Sequence, residues 1–407
     1  MRSVPDLRTI LNKTFGFDPK AKKPKYRMVG GLVLAYPLDY WRQGGPESEK
    51  IGQKRIQHLA VIPVYVDENN GVIRVPVIGG NSVFGIMKNN LSEYMFEWYR
   101  NNEPDKLKLI YYEKPESVIM AALFRMKMPF VPVKRPPLDL YNAVWENFIW
   151  RTWGIGMAGW APQKAFTATS LIPTIVAGSA RIEVARYYAE KLGLDINDAL
   201  STIKTVSEDE LKVEIIKLRH PLSADYSSIG VVPASNEEIF KWLKETGFIK
   251  EKEKESENEK QSEKQKEFTL LEPVPINIEV APANTPLLAL IVQKNAMKLF
   301  NDMEVATVAH AVRSLCVVGP KENTFKLVAG VAFKNVYTGE TLVLKKVTYG
   351  SCGENAEESE ELVRYSEMFA DWVRDSDYPV YIHEVGLRLI EAVKREKKQK
   401  KQKGEKA

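Results

Sequence analysis

The sequence predicts an α+β fold made of two strand–helix–strand halves, and three stretches carry that prediction. Met28–Leu38 (MVGGLVLAYPL) is a nearly continuous apolar run of strand length, as a strand buried on both faces would be. After Gly79, Gly80, Asn81 and Ser82, the apolar residues Val83, Met87, Leu91, Tyr94 and Trp98 recur at spacings of three and four, which describes one face of a helix laid on a sheet. Late in the chain Ile276–Asn295, a helix from about Asp302, and Phe325–Val336 (FKLVAGVAFKNV) repeat the order strand, helix, strand.

The remaining elements follow in order. Leu59–Val66 and Val72–Ile78 flank DENNG, which has the chemistry of a hairpin turn. The first helix begins near Ser82 and turns Lys88, Asn89, Ser92 and Glu93 away from its apolar face. The second helix takes Asp302 as its expected N-cap, carries Val305, Val308, Ala309, Val312 and Leu315 on one face, and stops at Gly319-Pro320. Glu340–Tyr349 is a strand expected to pair with the one before it. Further helices are expected over Ala180–Lys191, Asn236–Thr246, near Glu361–Trp372 and near Val385–Val393.

Two such halves packed together make a ferredoxin-like (RRM-like) sandwich, a fold that RNA-binding domains often use. The expected organisation is a first half with an N-terminal extension over 1–100, an inserted helical and loop subdomain over 101–249, and a linker over 250–267. A second half with C-terminal helices spans 268–393, and a basic disordered tail spans 394–407. The linker holds six Lys, seven Glu and no apolar residue, so it has nothing to bury.

With 407 residues, 44% hydrophobic and 27% charged, the chain can bury a sizeable core. No run of about 18 apolar residues suggests a membrane span, and the charged start has no apolar signal region, so a cytoplasmic protein is expected. Cys316 and Cys352 are the only cysteines; that number excludes a disulfide framework and a four-cysteine zinc site. Cys316 is expected in the core. The net charge of +5 is unevenly placed: residues 1–27 and 394–407 carry +6 each, which leaves 28–393 at −7. A polyanionic partner would therefore meet the ends or a local groove.

Two readings meet at Gly79–Ser82. One is a tight strand-to-helix turn with Ser82 as N-cap; the other is an anion site made by backbone N–H groups at a helix start. No Gly-Lys-Ser/Thr follows, so this is not a nucleotide-hydrolysing P-loop. In Trp150–Phe166 the tryptophans are expected in the core, while Lys164 is a candidate contact for nucleic acid. Asp225 and His220 lie in a polar stretch, Arg219–Gly230, where a lone Asp in a Ser-rich loop is more often a turn former. His58, His310 and His383 lie apart and show no metal-ligand spacing.

The strand, turn and helix at Pro76–Asn90 resemble the glycine-serine turn of the RAMP superfamily of CRISPR-associated proteins. The match is closest in kind to the backbone subunit that polymerises along guide RNA in Cascade-like effector complexes. Gly80, Asn81, Ser82 and Gly85 fit the pattern. Phe84 stands where an Arg is common, so Lys88 one turn later is the expected source of charge. IEVAPANTPLLALIVQKN, a helix and FKLVAGVAF follow the order of the family's C-terminal unit, but its glycine-rich loop is reduced here to VGPKENTFK, which counts against a processing-nuclease role for that loop. The resemblance spans about 28–100 and 276–337.

The resemblance implies a right-hand architecture: a ferredoxin-like palm with inserted fingers and thumb, and guide RNA (crRNA) lying across the palm. It implies copies of the chain in a filament, other CRISPR effector subunits as partners, and target DNA or RNA met through the guide. No cofactor and no catalysis are implied. Arg42, Lys54, Arg55, Gly80, Asn81, Ser82, Lys88 and Lys164 are the candidate RNA-binding residues, acting on the backbone without regard to sequence. The alternative is a RAMP-type endoribonuclease acting on guide precursor or target RNA, with Asp225 and His220 or His58 as acid/base groups.

Overall fold

The computed structural model describes residues 7–16, 18–37, 44–51, 54–59, 61–67, 71–127, 133–155, 160–174, 179–196, 214–217, 223–248, 276–279, 287–316, 324–349 and 355–404. Its strands are β1 Tyr26–Pro37, β2 Gly44–Ile51, β3 Lys54–Leu59, β4 Val61–Asp67, β5 Gly71–Pro76, β6 Phe166–Ala168, β7 Ile172–Pro173, β8 Glu214–Lys217, β9 Ile276–Glu279, β10 Leu287–Gln293, β11 Thr324–Asn335, β12 Thr341–Tyr349 and β13 Ala356–Glu358. The helices are α1 Leu7–Phe15, α2 Pro19–Lys22, α3 Gly80–Asn102, α4 Pro104–Leu107, α5 Ser117–Phe124, α6 Leu138–Glu146, α7 Phe148–Trp153, α8 Ser179–Leu192, α9 Ser223–Ser228, α10 Asn236–Thr246, α11 Asp302–Arg313, α12 Glu360–Asp375 and α13 Tyr378–Gly404.

The central sheet is antiparallel throughout, in the order β13-β12-β11-β1-β10-β6, with β7 also paired to β10. Alternation along its strands explains why they read as continuous apolar runs. Val33, Ala35, Ala289, Ile291, Ala329 and Val331 face the main core, while Leu32, Leu34, Leu288, Leu290, Val328 and Ala332 face the other way into a smaller cluster. α3 and α11 pack on the first face; Ala185, Ala189 and Leu192 of α8 cover the second. The sheet is therefore sandwiched between helices over part of its area, where a bare two-layer sandwich would leave one face open.

The mixed helix and antiparallel-sheet class is as expected; several details differ. β6, which borders β10 and completes the first strand–helix–strand unit, lies within the segment assigned to a separate insertion. Its three residues are too short to carry an alternation signal. The segment 101–249 is not self-contained either. Phe148 of α7 packs edge-to-face with Phe15 of α1 and with Trp372 of α12, at 5.7 and 4.8 Å between ring centres. Trp150 and Trp153 are fully buried in the same core. β4 and β5 form the expected hairpin, but as a separate two-stranded sheet. β9 joins β3 and β8 in a third sheet instead of pairing with β10.

The apolar face of α3 also turns slightly from its expected line. Val83, Met87 and Leu91 are buried as expected, but Met95, Phe96 and Tyr99 continue the stripe, while Tyr94 and Trp98 are half-buried against it. A 3.6-residue period drifts off a strict fourth-residue count over 23 residues. α11 begins one residue earlier than expected: Asn301, not Asp302, is the N-cap, and Asp302 is the first helical residue. Cys316 lies beyond α11, is half-buried, and is disulfide-bonded rather than packed in the core.

The basic tail over 394–407 is a correction as well. α13 runs from Tyr378 through Gly404, so most of that segment is helix. Tyr378, Tyr381, Ile382, Val385 and Leu389 are buried and supply the nucleus; Lys, Arg, Glu and Gln then extend it at little propensity cost. Lys397 also donates through Nζ to the carbonyls of Lys244 and Glu245 at the end of α10, at 2.9 and 2.8 Å. The linker 250–267 lies outside the described residues. Among the described residues no helix is long and apolar enough to cross a membrane.

Candidate functional site

The start of α3 sits where the sequence places it, between the hairpin β4–β5 and the sheet. Its N-cap is Gly79, in extended conformation, with no side-chain cap bond and no acidic residue in the first turn. Ser82 is therefore the third helical residue, not the cap; its N–H donates to Gly79 O at 2.8 Å. Gly80 has a packing reason for being glycine. A Cβ there would lie 2.0 Å from Ala168 O, so the bare backbone lets the helix start press against β6. Asn81 is exposed and Ser82 half-buried.

Lys164 closes on this helix start from the loop after α7. Its Nζ donates to Asn81 Oδ1 at 2.7 Å and lies 4.8 Å from the Phe84 ring centre. Burial and then the nearby Lys294 lower its pKa. A cation held at the positive end of a helix opposes the macrodipole. Structural caps usually put a carboxylate there; this arrangement suits a third, anionic participant.

Phe84 and Lys88 do not divide the labour as the sequence suggested. Phe84 is buried between Trp153 and Phe166, 5.2 and 5.1 Å from their ring centres, which explains an aromatic where the family resemblance expects an Arg. Lys88 is half-buried and donates through Nζ to Gly154 O at 2.6 Å. Burial, with Lys127 and Lys164 adding repulsion, lowers its pKa to about 8. Gly154 has φ +67°, and a Cβ there would meet the Lys164 N at 2.8 Å. Lys88 is thus a strut that fixes the loop carrying Lys164; it does not reach out as a free phosphate ligand.

The structure therefore brings Gly80, Asn81, Ser82 and Lys164 together and places Lys88 behind them. Arg42 lies outside the described residues. Lys54 and Arg55 begin β3, whose backbone pairs with β2 and β9; their side chains lie outside the description. Lys294, next to Lys164, was missed. Its backbone N–H donates to Ala165 O at 2.9 Å, a cross-strand proximity with no local sequence signal.

The alternative acid/base pair fares differently. Asp225 is buried and held by Arg125, with Nε to Oδ2 at 2.8 Å and Nη2 to Oδ1 at 2.6 Å, and Tyr111 Oη adds a bond of 3.2 Å. Arg125 in turn stacks on Phe96 and pairs with Glu93. An aspartate held this way anchors α9 to the core. His220 and His58 are not available to support it: His220 is outside the described residues, and only the backbone of His58 in β3 is described.

The fold and site define an α+β protein whose central antiparallel sheet supports a helix start that has no side-chain cap bond and is met by Lys164. No family model and no curated protein matches this chain. Among solved structures it is similar to a chain of a "Type IV-B CRISPR Complex", at 11% identity and TM-score 0.34, over 82% of this chain and 94% of that one. It is also similar to Csc2 of Thermofilum pendens, at 11% identity and TM-score 0.29, over 97% of this chain and 94% of that one. Likeness at this level fixes neither fold family nor activity.

Proposed function

We propose that this chain is a guide-RNA-binding backbone subunit of a CRISPR effector complex, working without a cofactor and without catalysis of its own. The observation that carries the proposal is the start of α3: without a side-chain cap bond at Gly79, free of acidic residues in its first turn, and met by the Lys164 ammonium on Asn81. RNA phosphate is the anion that such a site suits, since backbone amides and lysine hold phosphate without reading sequence.

The topology supports the same proposal. Taken as β1-α3-β6 and β10-α11-β11, the two units give the sheet order β11-β1-β10-β6, all antiparallel. That is the order of a ferredoxin-like palm, extended here at one edge by β12 and β13. The RAMP-like turn at Pro76–Asn90 lies on this palm, and copies of the chain along one guide would present the site repeatedly. Target DNA or RNA would then be selected by pairing with the guide. The endoribonuclease alternative finds no support in Asp225, which is consumed by Arg125.

The test is to purify the chain and record its absorbance ratio at 260 and 280 nm and its size, before and after ribonuclease. RNA in a large, ribonuclease-sensitive assembly is the expected result, and sequencing that RNA tests for guides. A nucleic-acid-free chain that also fails to bind added guide RNA at low salt would end the proposal.

A further inference from the structure

We propose that the basic second half of α13, with Lys134 and Arg135 beside it, is a docking surface for the phosphate backbone of a nucleic-acid duplex, distinct from the start of α3. This surface does not depend on the guide-RNA proposal, and its test reads a different ligand and different residues.

The helix carries seven Lys or Arg over 394–404 and a single carboxylate, Glu396. Its Oε1 accepts the backbone N–H groups of Lys134 and Arg135, at 2.7 and 3.1 Å, so it pins a neighbouring loop to the helix. The same contact brings the exposed Lys134 and Arg135 alongside the exposed Lys394, Arg395 and Lys398. Lys397 is the exception, spent on the end of α10.

A tail that served only for solubility would need no fixed shape. This one is a helix rooted in the core and tied down at 396 and 397, so its charges are pre-positioned. Eleven residues at about 1.5 Å rise extend roughly 16 Å. Lysines and arginine recur at 394, 395, 397, 398, 400, 401 and 403, a density of positive charge that suits the phosphates lining a groove wide enough for an α-helix. The segment 394–404 has no apolar residue, so it lacks the face by which a helix inserts into a lipid surface.

The experiment is fluorescence anisotropy of the full chain with a duplex of about 20 base pairs and arbitrary sequence, titrated with salt. The variant Lys394→Gln, Lys398→Gln, Lys400→Gln, Lys401→Gln keeps good helix formers and both anchoring residues; circular dichroism checks that its helix content is unchanged. The expected result is at least about a tenfold loss of duplex affinity near 0.1 M salt and a salt slope shallower by roughly 3. The same four positions changed to Arg should restore binding. Equal binding by wild type and the Gln variant overturns the proposal. So does failure of the Arg variant to restore it, or wild-type binding to anionic phosphatidylserine vesicles with none to the duplex.

Discussion

The starts of α3 and α11 occupy equivalent places in two strand–helix–strand units on the same sheet face, yet one is open and the other is sealed. α11 has a full capping box: Asn301 Oδ1 accepts from Glu304 N at 2.8 Å, and Glu304 Oε2 accepts from Asn301 N at 2.9 Å. Asp302 adds a carboxylate that pairs with Lys25 at 2.7 Å and accepts from Tyr365 Oη at 3.0 Å. α3 has a glycine at the cap, no carboxylate, and a lysine at its mouth. Where a fold repeats a unit, the copy that departs from the stable solution is the one to suspect of function. The sealed copy shows what capping the fold can achieve when stability alone is at stake.

The strongest way to break this comparison is to open the sealed end. Glu304 is buried and accepts from Arg151 Nε at 3.1 Å and Lys298 Nζ at 3.0 Å. Glu304→Ala takes the buried carboxylate from both cations and from the Asn301 amide, at an expected cost of about 3–5 kcal/mol in urea unfolding. A loss under about 1 kcal/mol would mean that the capping box is not what holds this half.

The next prediction sets the two helices against each other by pH. His310 of α11 is buried beside Tyr94 and Phe369, and burial pushes its pKa down to about 4. The unfolded chain therefore binds a proton before the folded chain does. Stability from His310 is complete above about pH 6.5 and is lost as pH falls toward 4, by an amount on the order of 3 kcal/mol. Lys88 of α3 behaves oppositely: with a folded pKa of about 8 against an ordinary 10.5, its burial penalty is relieved as pH rises from 8 toward 10.5. Stability curves of His310→Asn and Lys88→Met, each subtracted from wild type, should bend in these two windows. A flat difference for either removes its burial from the account.

Much of the sealed half was legible in the sequence, because it obeys local rules. The stripe Val305, Val308, Ala309, Val312 fixes the helix, and the error at its cap is a single residue. The open half was legible only in part. The Gly-Gly-Asn-Ser turn marks a helix start, but nothing local reveals that β6 lies some sixty residues beyond the end of α3, or that Gly80 is small because Ala168 O is against it. Lys88 misled because a lysine one turn along a helix looks exposed by spacing alone. Its partner, Gly154 O, comes from a loop made close by the +67° backbone of that glycine. Spacing does not reveal the partner of Asp225 either, since Arg125 is 100 residues away. Charge pairing over such distances is a property of packing, and no periodicity encodes it.

A smaller effect tests the open end directly. Lys164→Gln keeps a donor for Asn81 and removes the charge, so stability should change by less than about 0.5 kcal/mol. Affinity for a single-stranded RNA should fall about fivefold near 0.1 M salt, with the salt slope reduced by roughly 0.7, as expected for one phosphate contact. Unchanged RNA affinity with unchanged stability would leave Lys164 as a packing residue and weaken the proposed site.

The smallest expected effect carries the sharpest contrast, because stability and binding should move in opposite directions. Gly79 has φ −60° and ψ 145°, a conformation open to any L residue. Gly79→Asp would give α3 the kind of cap that α11 already has, offering a carboxylate to the amides near Asn81 and Ser82. Relative to glycine that gain is only a few tenths of a kcal/mol, readable as a small rise in thermal midpoint. The same carboxylate would occupy the amides and pair with Lys164, so RNA affinity should fall by more than it does for Lys164→Gln. If Gly79→Asp stabilises the chain and leaves RNA binding intact, the open helix start is merely an unfilled cap. A loss of binding at unchanged or higher stability separates the site from the scaffold, which no core substitution in α3 could do.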